Sequence, residues 1–200
     1  MLACGYQGGV GALKAMGALR MGLAESELQP LVDAWRDANP NIVQLWTDVN
    51  AAAIEAISTS QPVKIGPLTF AVEHWLFTHL PSGRQLAYAR PRLSENRFGG
   101  TAIIYDGITK GRKRGKLKTC GGKLIENIVQ AIARDPLTHA MHHVEATGHE
   151  IVMHIHDKIV IENRRYDRWR HLPPLPTTPA WSKGLPLAAD GYECAFYRKD

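Results

Sequence analysis

The sequence predicts an α+β fold, because helical and strand patterns occupy separate stretches of the chain. Residues 25–56 repeat apolar side chains at helical spacing, and residues 63–92 change to short β-type runs divided by proline and glycine. Residues 124–147 return to helical spacing, and an apolar strand-like run follows at 150–162. With 200 residues and 44% hydrophobic composition, the chain can bury a core as one domain or two small pieces.

Charge and cysteine usage limit the classes of protein to consider. A formal net charge of +5 and a pI near 9.2 favour an acidic partner such as nucleic acid, although charge does not decide the fold. Cys4, Cys120 and Cys194 lie far apart without CxxC spacing, which argues against a disulfide framework and a structural zinc site. Without a membrane-length apolar run or a secretory leader pattern, we expect a cytoplasmic protein with no membrane partner.

The glycine-rich N-terminal segment is the first element. Its pattern predicts a helix that ends near Gly5 and Tyr6. The following turn, residues 5–9, could bring backbone close to a phosphate, but a glycine cap at a helix C-terminus is the more common arrangement. Residues 25–56 then indicate two helices joined at Pro40, because proline disfavours helical conformation in the residue before it.

The middle of the chain predicts short strands and then a loop. Residues 63–92 carry the β-type runs, with a hairpin turn at residues 81–84. Residues 93–123 have no clear period, and they contain a basic run that we expect to be a loop. The run has six cations with no acid among them, namely Lys110, Arg112, Lys113, Arg114, Lys116 and Lys118. Such a run is either a solvated loop or a contact for a phosphate backbone, and both interpretations stay open.

The last regular elements surround one acidic residue. Residues 124–147 predict the longest helix, with a kink at Pro136 because a mid-helix proline removes a backbone hydrogen bond. The run at 150–162 predicts a strand whose period of two places Ile155 and Asp157 on one side. A carboxylate buried in such a strand needs a cation, hydrogen bonds or a metal ion. The alternative is a turn aspartate between two short strands.

Six histidines between residues 139 and 156 raise the possibility of a metal site. His139 and His143 share a helix face at i,i+4 spacing. However, no glutamate stands between them as in the HExxH motif, and no third ligand is evident. The sequence therefore gives a histidine-based zinc site little support.

Two segments of the second half carry a recognisable signature, the helix at residues 121–135 and the His156-Asp157 pair. With other segments in the same order, they resemble family A DNA polymerases (DNA polymerase I-like) of the phage type, and in particular a C-terminal fingers and palm fragment. The further matching segments are residues 2–9, 34–36, 39–43, 80–84, 184–193 and 197–200. The resemblance therefore extends over most of the chain.

The resemblance implies an architecture as well as a family. Residues 1–60 would be the C-terminal part of a fingers-type helical region, and residues 61–200 a palm-type region that carries the His-Asp pair. The palm-type part would be an antiparallel sheet backed by the long helix at 124–147. We expect this domain to be incomplete, with an exposed sheet edge that favours self-association.

The resemblance also implies a function, template-directed nucleotidyl transfer in DNA replication. Its partners would be a DNA primer-template, deoxynucleoside triphosphates and the missing N-terminal part of the polymerase. Asp157 would be a catalytic residue and a ligand of two Mg²⁺ ions. Hard Mg²⁺ takes one or two carboxylates plus phosphate oxygens, and paired ions clamp an in-line displacement.

The same resemblance assigns DNA and nucleotide contacts to other side chains. His156 would face the primer end, and Arg84 would contact the DNA backbone. Asn127 and Gln130, one helical turn apart, would reach the minor-groove edges of the primer terminus. Tyr6 would lie beside the incoming nucleotide and the templating base. The cations at 110–118 would add contacts to the DNA backbone.

The chain also departs from the family pattern. No segment supplies the first catalytic aspartate or the basic nucleotide-binding residues. Lys158 stands where the family has glutamate, Pro136 falls inside a family helix, and residues 163–176 lack the expected amphipathic pattern. We therefore expect no activity from this chain alone. The alternatives are a DNA-binding remnant without catalysis and, with less support, a histidine-based metal-binding protein.

Overall fold

The computed structural model describes residues 2–96, 99–109, 111–162, 178–192 and 194–197. Lys110 and the stretch at 163–176 lie outside these residues. The chain divides into two compact units, Met1–Val129 and Gln130–Asp200.

The first unit begins with four helices. Pro40 opens the last and longest of them at a position where its missing N–H has no helical partner to lose. The predictions of a helix ending at Gly5 and of two helices meeting at Pro40 are therefore confirmed. The helices are α1 Leu2–Gly5, α2 Val10–Ala15, α3 Glu25–Ala38 and α4 Pro40–Thr59, with a 3₁₀ turn at Ala18–Met21.

A six-stranded antiparallel sheet follows, and its strands neighbour one another in chain order. The β3–β4 turn lies at the predicted hairpin of residues 81–84. Together with the helices, this sheet confirms the α+β fold. The strands are β1 Val63–Ile65, β2 Leu68–Val72, β3 Trp75–His79, β4 Gln85–Glu95, β5 Thr101–Ile108 and β6 Arg114–Thr119.

The prediction of a loop for the basic run at 110–118 is wrong from Arg114 onward, where strand β6 begins, and the poorly patterned stretch at 93–123 contains further strand. Strand β4 continues to Glu95, and β5 and β6 form a hairpin in full register. In β6, exposed cations alternate with the less exposed Gly115 and Leu117, so the strand period is present but the charges obscure it. Strand β6 is an edge, where lysines oppose pairing with another chain.

The core of the first unit lies between α4 and one face of the sheet. Helix α4 contacts β1, β2, β3 and β4. Phe70 and Leu76 from the sheet, and Val49 and Ala53 from the helix, are completely buried. Burial of each large side chain stabilises the fold by about 1.5–3 kcal/mol. The helix predicted to back the sheet was the one at 124–147, and for β1 to β4 this role belongs to α4.

A second junction depends on two glycines that begin helix α5, Gly121–Ala146. A β-carbon at Gly121 would stand 1.9 Å from the carbonyl oxygen of Trp46. One at Gly122 would stand 2.5 Å from the carbonyl oxygen of Tyr6. Gly122 N–H donates to Gln7 Oε1 at 3.0 Å. Backbone contacts therefore join the start of α5 to the turn after α1 and to the middle of α4. These contacts leave no room for a side chain at Gly121 or Gly122.

The second unit contains the end of α5 and a separate two-stranded sheet. Helix α5 continues past Pro136 to Ala146. Strands β7 Glu150–Ile155 and β8 Lys158–Glu162 pair antiparallel. The prediction of one strand over 150–162 is therefore wrong, because a two-residue turn divides the run.

No helix among the described residues combines the length and the apolar content needed to cross a bilayer.

Replacing Gly122 with alanine is expected to destabilise the fold by about 1–3 kcal/mol, because the new methyl group overlaps backbone that cannot move freely. Urea unfolding followed by circular dichroism measures the change. Gly11→Ala in α2 is the matched control, since a β-carbon there meets nothing within 4 Å and should stabilise by up to about 1 kcal/mol. Equal stability of the two variants would contradict the proposed role of the junction.

Candidate functional site

Asp157 lies in the turn of the β7–β8 hairpin. Ile155 pairs with Lys158, so His156 and Asp157 form a two-residue turn, and both are exposed. His156 has φ of 53°, a left-handed conformation that histidine tolerates better than β-branched residues do. The expectation of a buried strand aspartate is wrong, and the alternative of a turn aspartate between two short strands is confirmed. Solvent therefore reaches the carboxylate, which is open to a cation.

A neighbouring histidine on the same hairpin is already engaged. The guanidinium nitrogens of Arg134 lie 3.3 and 3.2 Å from the two ring nitrogens of His154. Guanidinium can only donate, so the imidazole accepts through whichever nitrogen carries no proton. This contact ties α5 to β7 within the second unit and occupies a possible metal ligand.

The described residues contain no group of three or more histidine, cysteine or acidic side chains placed to hold a metal ion. His139 and His143, the pair at helical spacing, therefore have no third ligand in the described ranges. Asp157 can supply one carboxylate to Mg²⁺, which needs further oxygen ligands from phosphates, water or other carboxylates. The described side chains fit one ligand of a magnesium site and do not complete it.

Asn127 makes a specific contact that its exposed position on α5 does not suggest. Its Nδ2 donates to the hydroxyl of Tyr88 at 3.1 Å. The ring of Tyr88 is buried and meets Tyr105 edge-on at 5.1 Å. Burial raises the pKa of Tyr88, the Asn127 hydrogen bond lowers it, and Tyr105 adds a smaller increase. One amide proton of Asn127 is thus committed, which leaves its other N–H and its oxygen for a ligand.

The remaining predicted residues of the first unit lie at turns. Tyr6 is half-buried after α1, and its backbone lies against Gly122. Arg84 is exposed at the end of the β3–β4 turn, where its N–H is 3.4 Å from Ser82 Oγ. In the second unit, Gln130 is exposed on α5.

The basic run is ordered by strand β6. Arg112 and Lys113 are exposed in the β5–β6 turn, while Arg114, Lys116 and Lys118 share the exposed side of the strand. Lys110 lies outside the described residues. Arg114, Lys116 and Lys118 therefore form a row along a sheet edge, and Arg112 and Lys113 lie in the turn before it.

Sequence reasoning missed an ion-pair cluster beside this row. The carboxylate of Asp106 on β5 binds Arg90 and Arg92, both on β4. Lys116 is the direct cross-strand neighbour of Asp106, yet the two arginines hold both carboxylate oxygens. The acid and the arginines are visible in the sequence, but only the strand register brings them together.

Asn127→Ala is expected to raise the pKa of Tyr88 further, because the hydrogen bond that favours the phenolate is lost. Ultraviolet titration, with Tyr88→Phe as the blank, measures that pKa. A tyrosine whose pKa is raised by folding stabilises the fold below its ordinary pKa of 10.0, and this contribution falls as pH rises above that value. Tyr88→Phe should therefore flatten the loss of stability above pH 10.0. An unchanged Tyr88 titration in Asn127→Ala would contradict the contact.

Comparison with known proteins gives one informative similarity. No family model matches the chain, and no solved structure matches it. A DNA polymerase of Bacillus phage SP02 is 50% identical over 206 aligned positions, which cover 100% of this chain and 32% of that protein. The chain spans about a third of the length of this relative. Over its whole length, the chain is therefore similar to part of a phage DNA polymerase.

Proposed function

We propose that the chain is the C-terminal portion of a family A, template-directed DNA polymerase that acts in DNA replication. Its substrates would be a DNA primer-template and deoxynucleoside triphosphates. The observation that carries the proposal is the 50% identity, over the whole chain, to the DNA polymerase of a Bacillus phage. The chain spans 32% of that relative, and we propose that activity also requires the remaining parts of such a polymerase.

The proposed division is a fingers-like part at residues 1–60 and a palm-like part at residues 61–200. The order of elements supports it, since α4 ends at Thr59 and β1 begins at Val63. The incompleteness of the palm-like part is also proposed.

Asp157 is the proposed catalytic metal ligand. Its exposure in a hairpin turn supports this role, because the carboxylate can approach a cation without desolvating a protein core. Bound Mg²⁺ would supply positive charge to the attacking and leaving oxygens. His156, exposed in the same turn, would donate a hydrogen bond to the primer end.

Other side chains would contact DNA and nucleotide. Asn127 and Gln130 would read the primer terminus through the minor groove, and the bond to Tyr88 would hold the amide of Asn127 in one orientation. Arg84 would contact the backbone, as its exposure allows. Tyr6 would stack beside the incoming nucleotide, and its fixed backbone supports a positioned ring.

The chain alone is expected to show no primer extension, because the described residues complete no metal site. Addition of a separately expressed N-terminal two-thirds of the phage relative should restore Mg²⁺-dependent extension. Asp157→Asn should abolish this restored activity while DNA binding by the chain remains. Extension of a labelled primer, resolved on a gel, is the measurement.

Glu73→Gln is the matched control for this experiment. Glu73 and His74 are exposed in the two-residue turn between β2 and β3, so the variant also removes a turn carboxylate beside a histidine. It should leave the restored extension unchanged. Restored activity that survives Asp157→Asn would refute the metal role, and extension by the chain alone would refute its dependence on a second part.

A DNA-binding module without catalysis is the second candidate function, and the row of cations on β6 favours it. Arg114, Lys116 and Lys118 take part in no ion pair with the described residues. Such cations gain binding free energy by releasing counterions from DNA. This candidate predicts binding with little sequence preference and no extension under any condition.

The double substitution Lys116→Gln and Lys118→Gln should weaken duplex binding and make that binding less dependent on salt concentration. Each lost phosphate contact reduces the magnitude of the slope of log K against log salt concentration by about 0.9. Loss of both contacts should therefore reduce that magnitude by about 1.8. Fluorescence anisotropy across a salt series measures the slope. Arg20→Gln with Lys183→Gln, two exposed cations elsewhere, should leave the slope unchanged, and equal slopes for the two double variants would contradict the β6 contact.

A further inference from the structure

We propose that the outer face of the six-stranded sheet binds a single-stranded nucleic-acid segment, with bases stacked on Trp75 and phosphates held by the cations of β6. This inference rests on the proposed function in taking DNA as the ligand, and it adds the state of the strand and the surface that receives it. We call this surface the open face. It is defined by Trp75 and Phe77 on β3, Ala89 on β4, Asp106 on β5, and Lys116 and Lys118 on β6.

The strand register places an aromatic side chain and a cation in one row. Trp75 pairs with Ala89, Ala89 with Asp106, and Asp106 with Lys116. Cross-strand partners project from the same face of a sheet. Neighbouring strands lie about 4.8 Å apart, and three such spacings separate β3 from β6. The backbone positions of Trp75 and Lys116 are therefore roughly 14 Å apart. Because the side chain of Ala89 is small, it leaves room for a ligand beside the ring of Trp75.

The aromatic end of the row is exposed and supported from one side. Trp75 is 45% exposed, although a large aromatic ring gains most from burial. Phe77 stacks against it with ring centroids 6.4 Å apart and planes 13° apart. Any of the four bases can stack on such a platform, because every base has a π-face.

The opposite end of the row is positive because its one acid is neutralised locally. Arg90 and Arg92 both bind Asp106, which leaves Lys116 without the carboxylate that stands opposite it. Lys118 follows two residues later on the same face. The β4 to β6 part of this face therefore has five cations and one carboxylate among its described residues, the fifth cation being Arg114.

This combination fits a single strand better than a duplex or a protein. A duplex keeps the faces of its bases inside the stack, so Trp75 would gain no base partner from it. A protein partner suited to the aromatic rings would also need acidic groups opposite the row of cations. A single strand offers both unstacked bases and a regular series of charges.

The test compares a labelled oligothymidine with a duplex of equal length, by anisotropy with the complete 200-residue chain. Single strands should bind more tightly, and Trp75→Ala should weaken that binding about tenfold while leaving duplex binding unchanged. Trp75→Phe, which keeps an aromatic face, should retain most of the affinity. Lys116→Gln with Lys118→Gln should reduce the single-strand salt slope by about 1.4. Circular dichroism checks the fold of each variant.

A direct readout of stacking comes from intrinsic fluorescence. Oligothymidine should quench the wild-type emission, and the quenching should fall in Trp75→Phe. Unchanged single-strand affinity in folded Trp75→Ala overturns the inference while leaving DNA binding through β6 intact. Self-association that depends on Trp75 would assign the face to a second copy and also overturn it. Absence of binding to either DNA would refute the ligand as well, whereas restored primer extension is a separate result that tests the polymerase proposal.

Discussion

The close backbone contact at the start of α5 is the constraint on which the first unit depends. Gly121 and Gly122 let this helix approach the carbonyl oxygens of Trp46 and Tyr6 more closely than any side chain would permit. Trp46 is buried and donates its ring N–H to the carbonyl oxygen of Gly5 at 3.1 Å, which closes the junction from the side of α4. The positions of Tyr6 at the end of α1 and of Asn127 two turns into α5 follow from this packing.

The charged and polar groups of the sheet also form a few specific pairs. One carboxylate, Asp106, is shared by two arginines of the adjacent strand, and the lysine opposite it remains available. On the other side of the sheet, the hydroxyl of Tyr88 receives the amide of Asn127, so a buried polar group has a hydrogen-bond partner. The Tyr88 hydroxyl is thus paired inside the fold, whereas Lys116 on the exposed side has no ion-pair partner among the described residues.

The local sequence pattern predicts the helices and strands that have a strong apolar period. It fails where only a few residues determine the local structure. The helices on either side of Pro40 and the long α5 follow from apolar spacing and proline chemistry, both of which act within a few residues. Strand β6 was missed because alternating lysines resemble a charged loop. The turn at Asp157 is only the alternative in the sequence prediction, because apolar residues predominate in the run on both sides of it. The Asn127–Tyr88 bond joins residues 39 apart, which no local pattern reveals. The roles of the proposed site residues remain predictions.

The bulge in β4 makes the length of that strand as important as its composition. Ala89 and Arg92 are three positions apart, while their partners on β5, Asp106 and Ile104, are two positions apart. Pro91 lies in this irregular step, where its missing N–H interrupts no regular ladder. Because this step holds one residue more than β5 does, loss of Arg90 or Pro91 would give a regular ladder that still places Ala89 opposite Asp106. Loss of a residue from the regular part of β4 would instead turn the side chains on one side of the deletion to the opposite face, because side chains alternate between the faces of a sheet. Homologous chains should therefore tolerate a single-residue deletion in the irregular step, where Tyr88 keeps its place in the core, better than a deletion elsewhere in β4.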